Sequence, residues 1–152
     1  MIEPGAGDPV IGRYRHGEAL GIFAASRPDA IKSCAEEVLA DLGEVSVLAN
    51  RTGLAMLPFT DTVRNTAFHL GEVLVAEAHI RVPGRGVEGY GAVTGRDLEH
   101  AMAIAVLDAA IAAGHRTDAI TVFLDGEWRR QQEDDRERLR KVEATRVEME
   151  TF

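Results

Sequence analysis

The residues best placed to do chemistry lie in Gly95-Arg96-Asp97-Leu98-Glu99-His100, where a guanidinium, two carboxylates and an imidazole precede an apolar run. If that run is a helix, its first turn offers free N–H groups and the positive end of a dipole, surroundings that suit a phosphate or phosphonate oxygen. Arg96 would then bind an anion, with His100 as acid or base. The same residues also make an ordinary N-cap with surface charges. Arg64 and Asn65, in the polar stretch Asp61–Thr66, form a second candidate for an anion or a neighbouring subunit, and read equally as a plain surface loop.

Other arrangements carry less. Gly84-Arg85-Gly86-Val87-Glu88-Gly89 matches the spacing of the dinucleotide fingerprint. That fingerprint needs a strand before it and a helix opening within it. Here apolar alternation on both sides makes it a hairpin turn. The sequence holds no Gly-x4-Gly-Lys-Ser/Thr phosphate loop, and the five histidines show no zinc-site spacing with an acidic partner, so no metal site is assigned. Cys34, the single cysteine, excludes an intrachain disulfide and shares a helix face with Ile31, Ala35 and Val38, as an inert buried thiol would.

These groups need elements to hold them. Residues 1–17, rich in Gly, Pro and charge without an apolar period, read as a flexible arm. A short helix over Ala19–Ser26 is followed by one opening at Pro28 and stopping near Leu42 and Gly43. Val45–Ala49 and Leu54–Leu57 read as paired strands about a turn at Asn50-Arg51-Thr52-Gly53. Glu72–Val82 alternates as a strand, with Leu74, Ala76, Ala78, Ile80 and Val82 on one face and Glu77, His79 and Arg81 on the other. Val87–Thr94 returns antiparallel, its Gly89 and Gly91 on one face leaving room for a close approach to the backbone.

Asp97 caps a helix over Leu98–Ala113 that is apolar nearly all round, except at Glu99, His100 and Asp108. Such a helix must be covered on more than one side, and another protein is one candidate cover. Residues 118–124 fit strand or helix equally. From Asp125 to Glu150, 16 of 26 residues are charged. The pairs Asp134 with Arg138 and Glu137 with Lys141 fit helical spacing, and Trp128, Leu139, Val142 and Met149 supply only a thin apolar stripe. That helix is expected to be solvated or to dock on a partner.

The fold expected is therefore α+β, an antiparallel sheet of about four strands covered by helices. Its organisation is an arm at 1–17, an α+β domain at 18–124 and a charged C-terminal helix at 125–152. The 152 residues carry a net charge of -8, which argues against nucleic acid as partner. Without a basic segment leading into an apolar run or a stretch approaching about 20 apolar residues, neither secretion nor a membrane span is expected, and the chain reads as cytoplasmic. The sequon-like Asn50-Arg51-Thr52 is then a chance match.

Taken together, Thr52-Gly-Leu-Ala-Met-Leu57, Asn65-Thr-Ala-Phe-His-Leu-Gly-Glu-Val-Leu-Val75, Gly89-Tyr-Gly-Ala-Val-Thr-Gly-Arg-Asp97, Glu99-His100-Ala101 and Ala105-Val-Leu-Asp-Ala109 resemble the PhnG family of subunits of the carbon-phosphorus lyase core complex. The resemblance runs from about Glu18 to Phe152. Ala144-Thr-Arg-Val-Glu148 is similar to the family's end, and Met149-Glu150-Thr151-Phe152 departs from it.

The resemblance implies a non-autonomous subunit working with PhnH, PhnI, PhnJ and PhnL type proteins in phosphonate breakdown. The complex would displace adenine from ATP with methylphosphonate, giving α-D-ribose 1-methylphosphonate 5-triphosphate. It also implies that the later carbon-phosphorus cleavage uses an iron-sulfur cluster and S-adenosylmethionine in another subunit, since a chain with one cysteine cannot hold the cluster. No cofactor is expected on this chain alone, and when isolated it is expected to be poorly soluble or to self-associate. Two further readings stand beside this one. The chain could be a stand-alone enzyme binding an anionic substrate through Arg96, His100 and Arg64, or an interaction module with no role near substrate.

Overall fold

A computed structural model describes residues 7–150, with the side chains of residues 69–70 and 147–150 outside the description. Four helices and three strands follow in the order α1 (His16–Ala24), α2 (Pro28–Leu39), β1 (Ser46–Asp61), β2 (Thr66–Val82), β3 (Val87–Thr94), α3 (Leu98–Ala113) and α4 (Thr117–Glu150). A single 3-10 turn, Pro83–Arg85, joins β2 to β3. The sheet is antiparallel in the order β1-β2-β3. The α+β class, the antiparallel sheet beside helices and the charged C-terminal helix all hold.

The core forms where the alternation of β2 meets α3. Ala76, Ala78, Ile80 and Val82 are buried on one face of β2. Opposite them on β3 stand Val93, Gly91, Gly89 and Val87. A Cβ built on Gly89 would lie 2.0 Å from the Ala105 carbonyl oxygen, and one on Gly91 would lie 2.3 Å from that of Ala101. The two glycines let α3 sit directly on the strand, so the close approach read from the sequence is made by the chain's own helix. Phe23, Ile31, Leu42, Ile104, Leu107, Ile120 and Leu124 complete the core, each fully buried and worth roughly 1.5–3 kcal/mol.

Asp97 accepts a hydrogen bond from the His100 N–H at 3.0 Å and so caps α3, and Gly114 (φ 66°) ends it in the left-handed conformation. This apolar helix is covered on more than one side, as expected, and its own chain supplies the covers. The sheet, α1, α2 and α4 between them bury residues 100, 101 and 103–110.

Two expectations change and one open assignment is settled. The arm assigned to 1–17 ends earlier, because Ile11 and Tyr14 are buried and bonded to each other through their backbones, and α1 begins at His16; residues 1–6 lie outside the described residues. Residues 118–124 are the first turns of α4, with Ile120 and Leu124 on its buried side. Asn50–Gly53 is strand, paired with Ala78–Val75, so the segments at 45–49 and 54–57 belong to one continuous β1. The reversal comes instead at Thr62–Asn65, where Asn65 adopts φ 52°.

Candidate functional site

The structure places Arg96, His100 and Arg64 in three different settings. Arg96 is exposed, and no hydrogen bond or ion pair engages it among the described residues. His100 is buried, its Nε2–H donating to the Phe23 carbonyl at 2.8 Å. The imidazole therefore ties α3 to α1, engaged with the Phe23 carbonyl while Arg96 lies exposed. Asp97 occupies the helix N-terminus where an anion would compete with it, and Lys32 Nζ lies 3.3 Å from Asp97 and 3.4 Å from Glu99. Arg64 stands on the β1–β2 turn, eight strand residues beyond Leu74, or about 27 Å along β2 from where Gly95 bonds to the sheet.

A more organised polar group lies elsewhere. Asp108, the lone carboxylate in the apolar middle of α3, is buried, and its Oδ2 accepts the Tyr90 N–H of β3 at 2.9 Å. Its Oδ1 accepts from His16 Nε2 at 2.6 Å. A carboxylate held from behind thus orients an imidazole whose other nitrogen makes no hydrogen bond among the described residues. The His16 side chain is about half exposed (55%) and borders a surface hollow of about 510 Å³ that Arg15, Gly17 and Asp8 also line. This is the geometry of an oriented proton donor or acceptor. Sequence reasoning passed over His16 because it fell in the presumed arm, 92 residues from its partner; the signal was Asp108, a charge without local reason on an apolar helix.

Other charged groups hold the body together. Asp41 receives the Arg116 guanidinium at 2.6 Å and His115 Nε2 at 2.7 Å, and the hydrogen bonds from Arg116 and then His115 lower its pKa from 3.8 to about 2. Arg85 donates to the carbonyls of Leu42 and Asp41 at the same corner. Burial would raise the Glu127 carboxyl, but Arg27 at 2.8 Å and Arg130 at 2.9 Å more than reverse this and hold it below its ordinary value. Cys34 is half-buried, and burial, then the charge of Glu37, push its thiol up to about 11, which keeps it protonated and unreactive.

On the sheet face away from α3, Arg51 and the Tyr90 hydroxyl both reach Glu77, and Arg81 and His79 both reach Glu88. These cross-strand pairs satisfy the polar face locally. Among the described residues no group of three or more His, Cys, Asp and Glu side chains is placed to hold a metal ion, and no helix is long and apolar enough to cross a membrane.

The largest departure from an ordinary soluble surface is on β1. Apart from Ala49 and Asp61, both half-buried, all its residues are exposed. β3 pairs with β2 only from Val82 back to Val75, so beyond that point Leu54–Asp61 and Thr66–Leu74 continue as a bare two-stranded ribbon about 26 Å long. Leu54 (66% exposed), Met56 (59%), Phe59 (49%) and Val63 (89%) stand on it in the open, with Leu57 and Phe68 beside them. Next to its base, Leu39, Leu98, Met102 and Val106 line a groove of about 420 Å³ between α2 and α3 that opens towards Asn50 of β1.

A family model described as phosphonate metabolism protein PhnG matches residues 15–152. No match was found among curated proteins.

Proposed function

The chain belongs to the PhnG family of phosphonate metabolism proteins, and from that premise we propose that it acts as a non-autonomous subunit of the carbon-phosphorus lyase complex. Its partners in this reading are PhnH, PhnI, PhnJ and PhnL type proteins. The assembled complex displaces adenine from ATP with methylphosphonate to form α-D-ribose 1-methylphosphonate 5-triphosphate, and the iron-sulfur cluster and S-adenosylmethionine of the later cleavage belong to another subunit. The assembly is cytoplasmic in the same reading.

The observation that carries the proposal is β1, a 16-residue strand exposed on both faces, with five large apolar side chains uncovered at its far end and turn and Phe68 uncovered beside them on β2. A two-stranded ribbon is marginal in water by itself. A chain that keeps one at this length has its remaining contacts in another molecule. His16, oriented by Asp108, is the group of this chain best suited to act at a site completed by a neighbour. The stand-alone alternative draws less from the geometry, since Arg96, His100 and Arg64 do not converge.

The test is co-expression with the PhnH, PhnI and PhnJ type proteins, then chromatography with mass determination and an assay of adenine release from ATP and methylphosphonate. Co-elution, with adenine release that disappears when this chain is omitted, is the expected result. A free monomer, or release indifferent to its omission, would contradict the reading.

A further inference from the structure

We propose that the tip of the β1–β2 ribbon inserts into an apolar cleft of a different protein subunit, which closes over both of its faces. The inference rests on the subunit reading above and adds how the subunit is held. The argument starts from the register. Leu54 pairs with Leu74 and Met56 with Glu72, continuing the series Asn50 with Ala78 and Thr52 with Ala76. Ala76 and Ala78 are buried under α3. Leu54 and Met56 therefore lie on the face that α3 covers further down, past the end of the helix layer.

Leu57 pairs with Gly71 on the opposite face. The irregularity between Leu57 and Pro58 places the extra residue on β2, so β1 keeps its alternation and Phe59 follows Leu57 on that second face. There Phe59 meets Phe68 edge to face, ring centroids 5.3 Å apart. Both faces of the tip are thus apolar and both are exposed, whereas a ribbon lying on a flat surface needs only one apolar face.

Four observations choose the occupant. At roughly 150–250 Å² for a large side chain, the exposed fractions of Leu54, Met56, Leu57, Phe59, Val63 and Phe68 add up to on the order of 600 Å². With the ribbon backbone this approaches the ~800 Å² per partner of a stable interface. Charge is thin here, since residues 54–74 hold only Asp61, Arg64 and Glu72 in a chain that is 28% charged, so the cleft is apolar. A second copy fits poorly, because two-fold pairing of ribbons covers one face of each and brings together two bodies of charge -8. Pro58, lacking an N–H, interrupts the open edge of β1 and disfavours strand addition there.

The experiment uses the full chain co-expressed with the PhnH, PhnI and PhnJ type proteins. Met56→Asp changes one face, Phe59→Asp the other, and Met56→Ser with Phe59→Ser provides milder versions. Circular dichroism and a urea midpoint on each isolated variant check that the body folds, as it should when the altered side chains are exposed. The expected result is that each aspartate variant weakens co-elution at least tenfold while the fold is kept. Loss from one face only, or from neither, overturns insertion and leaves the subunit reading intact. Failure of the unsubstituted chain to co-elute removes both. An isolated chain of twice the monomer mass that either aspartate converts to monomer assigns the ribbon to a second copy and overturns the proposal.

Discussion

Two parts of this molecule project beyond its core, and they are chemical opposites. The far half of α4 is exposed from Glu133 through Arg146, about 20 Å of helix, and carries its charges in short-range order. Arg130 reaches Asp134 at 2.8 Å and Glu137 reaches Lys141 at 3.8 Å, so Asp134 pairs backwards with Arg130. Leu139 and Val142 are the large apolar groups on its exposed length. The ribbon tip has apolar side chains on both faces and few charges. A solvated helix satisfies its own backbone and asks little of a partner. A two-stranded ribbon leaves both edges and its apolar faces to be satisfied elsewhere. The proposal of a docking element rests on this difference, which favours the ribbon over the charged helix.

The comparison can be broken most severely in the body, where β3 meets α3. Gly91→Ala places a Cβ 2.3 Å from the Ala101 carbonyl oxygen and should cost about 3 kcal/mol or more, read as a lower urea midpoint. The same measurement on Phe59→Ala, at the tip, should show a loss of about 1 kcal/mol or less, because only one aromatic pair goes. Similar losses at the two places would mean that the tip is part of the core.

Asp108→Ala comes next, removing the charged acceptor of the Tyr90 N–H at a cost of about 1.5–3 kcal/mol. Asp108→Asn keeps an acceptor there and should lose less stability, while releasing His16 from its charged partner. His16→Ala removes one of the two hydrogen bonds to the buried Asp108 carboxylate and should cost about 1 kcal/mol, read as a lower urea midpoint of the isolated chain, and it should lower adenine release in the assembled complex about tenfold or more.

Acid sharpens the contrast between body and projections. The Asp41 carboxyl is lowered in the fold from 3.8 to about 2 by Arg116 and His115. Its contribution to stability is therefore present above pH 3.8 and lost as pH falls through about 2. Asp41→Asn should flatten the acid dependence of the urea midpoint in that window. The smallest effect belongs to the α4 tail, where Leu139→Ala should change the midpoint by less than about 0.5 kcal/mol.

How much of this was legible in the residues follows the same division. β3, α3 and the Asp97 cap were readable because alternation, helical run and cap residue agree locally. The ribbon was not, because Asn50-Arg51-Thr52-Gly53 has the composition of a turn while lying in a strand. What distinguishes the true turn is the positive φ of Asn65, a property the backbone settles after pairing. Arg96 and His100 were readable as a helix start, but the burial of His100 depends on α1 supplying the Phe23 carbonyl. The His16–Asp108 pair joins residues that no local pattern connects.

The most direct test of the central claim, that the ribbon tip is completed by another subunit, is hydrogen–deuterium exchange across residues 54–74 in the isolated chain and in the co-purified complex. The account predicts fast exchange in the isolated chain, set against slow exchange at residues 76–82, and protection of at least tenfold on assembly. Tip amides that exchange equally fast in the intact complex would contradict it.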